Sequence, residues 1–300
     1  MEQDMTKGSP FRVLIMFTLP LAIGNIFQQL YNMADTIIVG RYVGADALAA
    51  VGSTGTVMFL LNGFAQGITA GFAVLTSQRY GAKKMDGEGQ SVSNGILLSL
   101  IGAIGFTAAS LLFMRPLLHL MNTPENIFAQ AYEYISLISL GMVANVFYNL
   151  FSSYLRAVGN SRMPLVFLVL SACLNVVLDL ILIINFKMGV AGAAWATNLS
   201  QAISAVLCAV YIYKKVPALM PEKRHWRFHK GDTRYQLATG IPMALQFAIT
   251  SSGTMVMQSA INLFGSEAVA AYTAAGKIHG LLTQGMVAMG QTMAVYSGQN

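Results

Sequence analysis

The chain has 300 residues, 55% of them hydrophobic and only 10% charged, with a formal net charge of +6. A soluble domain carries about a quarter charged residues, so this balance points to a bilayer rather than water as the main solvent. Both cysteines, Cys173 and Cys208, lie in apolar runs, which argues against a disulfide framework or a cysteine-based metal site.

Residues 1–10, MEQDMTKGSP, are polar, and no small-residue cleavage site follows the first apolar run. That run reads as a retained helix, not a signal peptide. Stretches free of Asp, Glu, Lys and Arg cover 13–34, 47–78, 89–114, 134–155, 163–178, 188–213, 235–266 and 278–300. A spanning helix needs about 20 mainly apolar residues. The sequence therefore predicts an all-α polytopic membrane protein with about eight transmembrane helices, their cores near 13–39, 50–77, 92–113, 131–154, 164–185, 191–213, 236–263 and 268–297. The fifth reaches full length only if Asp179 lies inside it.

Basic residues set the expected orientation. One set of connections holds 14 of them, among them Lys7, Arg79, Lys83, Lys84, Arg156 and Arg162, whereas the other holds 3, Arg41, Arg115 and Lys187. The first side, with the N-terminus, is expected to be cytoplasmic. The excess charge is then a topology signal and implies no nucleic-acid partner. The longest polar break, KKVPALMPEKRHWRFHKGDTR at 214–234, reads as a basic anchor on an anionic leaflet.

The chain also resembles itself. At an offset of 221, residues 44–79 match at 10 of 36 positions, including Gly44/Gly265, Ala47/Ala268, Gly55/Gly276 and Gln78/Gln299. Upstream, Pro20 pairs with Pro242 and Met33 with Met255. Spans seven and eight thus repeat spans one and two in the same orientation, the parallel-repeat plan of many secondary transporters. The expected organisation is a complete six-helix N-lobe (1–213), a basic inter-lobe loop (214–234) and the start of a C-lobe (235–300). The second copy stops at Asn300, about four helices short, so a truncated chain is expected.

Ionisable residues inside spans mark sites, because each costs at least about 2.5–3.5 kcal/mol near the bilayer centre. Asp35 in span one and Asp179 in span five qualify best, while Glu133 reads as interfacial. Helical spacing puts Gln28, Tyr31 and Asp35 on one face, pairs Asn175 with Asp179, and pairs Asn145 with Asn149 on span four. Thr197 lies in span six. Carboxylate, amide and hydroxyl oxygens can replace the hydration shell of a monovalent cation, and a desolvated acid can instead carry a proton. Interhelical hydrogen bonding is the competing account of these residues. Lys277, about 13 Å into span eight at 1.5 Å per residue, either lines a cavity or snorkels outward.

Several segments together resemble the multidrug and toxic compound extrusion (MATE) family: LPLAIGNIFQQLYNMADTIIVGRYVGADALAAVG at 19–52, SQRYGAKKMDG after span two, RAVGNSRMP after span four, NVVLDL in span five and GVAGAAWATNLSQ at span six. The resemblance implies a twelve-helix antiporter of two six-helix lobes that exports cationic or amphipathic organic compounds across the cytoplasmic membrane in exchange for Na+ or H+, by alternating access. In its prokaryotic members an Asp on the first helix, an Asn and an Asp on the fifth and a Thr on the sixth form the N-lobe cation site. Those roles fall on Asp35, Asn175, Asp179 and Thr197, with Gln28, Tyr31, Asn145, Asn149 and Lys277 as cavity candidates. The resemblance implies a monomer with no cofactor beyond a bound Na+.

Two alternatives stay open: a lipid-linked oligosaccharide flippase of the same superfamily, and a truncated, non-transporting membrane subunit. A flippase is expected to favour a strongly cationic cavity, whereas the first six spans offer two acids and no central Lys or Arg. An enzyme is not expected, since no Asp-rich pair, His-Glu-x-x-His zinc motif or phosphate-binding loop occurs.

Overall fold

The computed structural model describes residues 5–121, 123–262 and 266–300. The side chains of 261–274, and of 85, 255, 258, 259, 276–278 and 281, lie outside that description. The chain is an antiparallel bundle of long helices, and the described residues contain no strand. In hydrocarbon no water satisfies the backbone, so each span must close its own hydrogen bonds, which a helix does.

Helix α1 (Pro10–Tyr42) is followed by a short α2 (Ala45–Ser53) and by α3 (Gly55–Gly81). Gly44 links the first two at φ 128°, a conformation closed to most side chains. Helix α4 (Met85–Leu120) leads to α5 (Glu125–Leu140) and α6 (Met142–Ala157). Helix α7 (Arg162–Asp179) continues into a π-helical turn, Leu180–Asn185, before α8 (Gly189–Lys215), α9 (Lys230–Asn262) and α10 (Ser266–Gln299). Five of these segments are long and apolar enough to cross a membrane: Pro10–Tyr42, Gly55–Gly81, Asp86–Leu120, Arg162–Asn185 and Gly189–Lys215. The α5–α6 pair makes a sixth span, and α9 and α10, at 33 and 34 residues, occupy the predicted places of spans seven and eight. At 33 residues α1 is about 50 Å long, well over the ~30 Å hydrocarbon layer, so it tilts or projects beyond it. Large apolar side chains such as Leu112, Phe113 and Ile249 face outward, the arrangement that lipid demands.

The fourth span is not the single straight helix that the sequence suggests. It bends by 47° between α5 and α6. At the break the Asn198 side chain from α8 enters the space that a Cβ at Gly141 would fill, and its Nδ2 donates to the Leu137 carbonyl at 2.7 Å. A polar side chain inserted into the helical ladder is a recognised cause of a sharp kink. The Leu137 carbonyl thus accepts from this amide as well as from the Gly141 N–H at 3.3 Å.

Small residues set the closest helix contact. Gly63, Gly67 and Gly71 recur every four residues along one face of α3 and meet Phe247, Ala244 and Gly240 of α9. A Cβ at Gly67 would lie 2.7 Å from the Ala244 Cα. Membrane helices pack through such small-residue faces because dispersion contact, rather than hydrophobic transfer, drives their association.

The 214–234 connection is also more ordered than a solvated basic anchor. Within it the turn Lys223–His225 is pinned by His225, whose Nδ1 accepts from the Glu222 N–H at 3.1 Å. The same ring's Nε2 lies 2.8 Å from Asp86 Oδ1, and the His225 carbonyl accepts from Ser93 Oγ at 2.7 Å. Beneath it, buried Asn94 donates to Gln236 Oε1 at 2.8 Å and accepts from the His229 N–H and Thr233 Oγ1. Arg79 grips Asp232 with both guanidinium nitrogens, at 2.7 and 2.6 Å.

Two outcomes check this packing. Gly67→Leu is expected to cost at least ~1–3 kcal/mol through overpacking and to lower the melting temperature in detergent. Gly102→Leu, where a Cβ meets nothing within 4 Å, serves as the unperturbed control. Asn94→Ala leaves buried partners unsatisfied at about 1–3 kcal/mol each, and hydrogen exchange is expected to rise across 216–235 but not in α7.

Candidate functional site

Helices α1, α7 and α8 bring four of the predicted residues together. Gly24 on α1 lets that helix lie against α7, since a Cβ there would sit 3.3 Å from Leu168 Cδ2. The approach places Asp35 beside Asp179 across the two helices. One turn earlier on α7, Asn175 Nδ2 donates to Thr197 Oγ1 of α8 at 3.3 Å. All four residues are buried, and Asp179 is fully so at 0% exposure.

Asp179 is the last residue of α7 before the π turn. Such turns displace backbone from its regular partners and recur at functional sites. Gly192 of α8 permits close packing here, for a Cβ on it would lie 3.3 Å from the Leu182 backbone. The local geometry thus aims a carboxylate at the bundle interior instead of the lipid.

Asp35 Oδ1, both Asp179 carboxylate oxygens and Asn175 Oδ1 are buried without a partner that meets hydrogen-bond geometry. A buried acceptor left unmade is costly, and a buried charge left unmatched costs more. Four acceptor oxygens, with no Lys or Arg acting on the two acids among the described residues, make a set that a monovalent cation, or a proton shared by the two acids, would complete. Carboxylate, amide and hydroxyl oxygens are hard donors of the kind alkali cations take, so the residues fit Na+ chemically. Among the described residues no cluster of three or more His, Cys, Asp or Glu exists to hold a transition metal.

An amide network leads away from the acids. Tyr31 lies between Asp35 and Gln201. Asn145 Nδ2 donates to Gln201 Oε1 at 2.9 Å and to Asn62 Oδ1 at 3.0 Å, and Asn149 Nδ2 donates to the Asn145 carbonyl and side chain at 2.9 and 3.1 Å. Asn145 therefore bonds to two neighbouring helices, whereas Asn149 bonds to Asn145 within α6. Gln28 stands apart from this chain in a small cavity with Asn149. The Lys277 side chain lies outside the described residues, and Glu133 is exposed, as an interfacial residue should be.

Three contributors were not singled out from sequence. Gln201 stands one turn beyond Thr197, the same i, i+4 signal that marked Asn175 with Asp179. Buried Tyr134 reaches the field of both acids and of Tyr31 from α5. Its position beside Glu133 in an apolar run gives no cue to which face it occupies. Asn62 stands one turn before Gln66 in span two, again an i, i+4 pair of amides.

Residues 20–181 match the family model MatE. The probable multidrug resistance protein YpnP of Bacillus subtilis is 30% identical over 299 residues, covering 99% of this chain and 66% of the relative. A crystal structure of a MATE protein in complex with MaL6 superposes with a TM-score of 0.91 at 27% identity, over 99% of this chain and 66% of that one. The outward-facing conformation of a multidrug resistance MATE family transporter of the MOP superfamily gives a TM-score of 0.90, also at 27% identity and the same coverage. This chain spans about two thirds of the length of each. It belongs to the MatE family, whose members are membrane transporters and not enzymes.

Proposed function

We propose that the chain is the cation-binding part of an exporter of cationic or amphipathic organic compounds, coupled to Na+ or H+ entry across the cytoplasmic membrane. The observation that carries this reading is the pair of adjoining buried carboxylates, Asp35 and Asp179, three of whose four oxygens are buried without a partner. The names of the relatives, which speak of multidrug resistance, support the substrate class. Residues 1–213 act as one lobe and 235–300 as the opening of a second, joined by 214–234. The bias of basic residues among the connections supports a cytoplasmic N-terminus and a cytoplasmic 214–234 strap.

On this reading, Asp35, Asp179, Asn175 and Thr197 hold the coupling cation. Side by side in a dry interior, the two carboxylates repel unless a positive charge lies between them. Binding of a cation pulls α1 and α7 together, and its loss drives them apart. That is a differential affinity for two arrangements of the helices, which alone lets an ion shift a conformational equilibrium. Tyr31, Gln201, Asn145 and Asn149 pass the change toward the cavity that holds the organic substrate. The protein acts as a monomer. The acids, with no Lys or Arg among their described neighbours, disfavour a lipid-linked sugar diphosphate as cargo.

Reconstitution in proteoliposomes tests the proposal through efflux of a fluorescent organic cation under imposed sodium or proton gradients. Asp35→Asn and Asp179→Asn are expected to lower gradient-driven efflux by at least roughly tenfold, a loss of ~1.4 kcal/mol or more in transition-state stabilisation. Wild-type rates in both would sink the site assignment. Independently of transport, 22Na+ binding by the purified chain should disappear in Asp179→Asn if sodium is the coupling ion. If the ion is a proton, that binding is absent from the wild type, and on alkalinisation the wild type releases about one more proton per chain than Asp179→Asn.

A further inference from the structure

A second polar cavity lies between α1, α3, α6 and α7, lined by Pro20, Asn25, Gln28, Gln66, Asn149 and Arg156 among others, with a volume of about 50 Å3. Its lining contains one cation and no carboxylate. Arg156 Nη2 donates to Ser153 Oγ at 2.8 Å, one use among the five N–H donors of a guanidinium. Among the described residues no carboxylate oxygen comes within the 4.0 Å of an ion pair with it. The nearby ionisable side chains that act on it are Tyr148 and Cys208.

Placement near the C-terminal end of α6 accounts for a cation, because the helix dipole favours positive charge there. It does not account for the rest of the cavity. Asn25 Nδ2, on the facing helix, is buried with no hydrogen-bond partner. A buried donor left unpaired is as costly as an unpaired acceptor. Two donor groups, one of them charged, thus line one small space without an acid to receive them. This is the inverse of the Asp35–Asp179 site, where acceptors lack donors. A cavity of this size exceeds the ~10–15 Å3 that one water needs and has room for a compact anionic group.

We propose that this cavity binds a small singly charged anion through Arg156 and Asn25, either the carboxylate head of a bound organic compound or a halide. A carboxylate accepts hydrogen bonds from a guanidinium and an amide at once, and charge-assisted bonds of this kind are about twice as strong as neutral ones. The role of the site rests on the transport reading: Asn149 lines the cavity and, through Asn145 and Gln201, joins it to Tyr31 beside Asp35. An anion at Arg156 is then sensed at the cation site by a continuous chain of amides, and zwitterionic compounds are accepted along with cationic ones.

Equilibrium dialysis of the purified chain against radiolabelled benzoate tests the site without an ion gradient, so its outcome is separate from that of transport. Benzoate is expected to bind saturably while benzamide, the neutral counterpart, does not. Arg156→Gln is expected to weaken benzoate at least about tenfold and Asn25→Ala about threefold, while Arg156→Lys keeps part of the affinity. Displacement of benzoate by millimolar chloride identifies a halide site, and failure of chloride to compete identifies a carboxylate head; both support the proposal. Equal binding of benzoate and benzamide overturns it. So does unchanged benzoate binding in both Arg156→Gln and Asn25→Ala. Should Arg156→Gln not fold, the benzoate–benzamide contrast and Asn25→Ala decide. A chain that binds benzoate yet moves no organic cation refutes the transport reading alone.

Discussion

Everything in this fold answers one constraint: within hydrocarbon, each polar group must find its partner inside the protein. Regular helix meets it for most of the backbone. At the α5–α6 bend the Asn198 amide joins the Gly141 N–H in donating to the Leu137 carbonyl. Hydroxyls follow the same rule, with Thr69 and Ser139 donating back to carbonyls of their own helices at 2.7 and 2.8 Å. Other buried polar atoms also lack a partner, but the oxygens of Asp35, Asp179 and Asn175 differ in that they gather in one place and two of the groups are ionisable.

The same constraint explains why the site lies where rigid elements meet. Gly24 and Gly192 remove the side chains that would keep α1 and α8 away from α7 and its π turn. Close approach puts two acids next to one another, an arrangement that is repulsive without a countercharge. Holding it needs stiff support, and the α3–α9 glycine seam together with the docked 214–234 strap provides it at the basic end of the bundle.

Much of this was legible in the sequence because the strongest signals were local. Charge-free runs gave the spans, and i, i+4 spacing paired Asn175 with Asp179. Both acids stood out as charges in apolar surroundings. What escaped was non-local. The bend at Gly141 depends on Asn198, which is far along the chain and looks, in sequence, like any amide in a span. Nothing in LILIIN distinguishes a π turn from regular helix. The 214–234 segment reads as solvated because its composition is basic, yet His225 is 3% exposed against α4. Tyr134 and Asn62 join the polar interior through contacts between helices, which periodicity within one helix does not reveal.

The internal repeat sharpens the contrast between scaffold and chemistry. Helices α1 and α9 are both 33 residues long, and each carries an internal proline, Pro20 or Pro242. Proline removes one ladder hydrogen bond and invites a bend, so the two helices share a point of compliance. They do not share the acid. The position of α9 that pairs with Asp35 at the proline offset is Met257, and its side chain is half exposed where Asp35 is buried. A carboxylate costs several kcal/mol to keep in this environment, so its retention on one copy alone is hard to explain by packing, which the other copy achieves with methionine. Packing constrains the shape of both helices, and on the proposed reading ion chemistry constrains only the first. Coupling then resides in the half that contains Asp35 and Asp179, while α9, seated on the glycine face of α3, contributes scaffold.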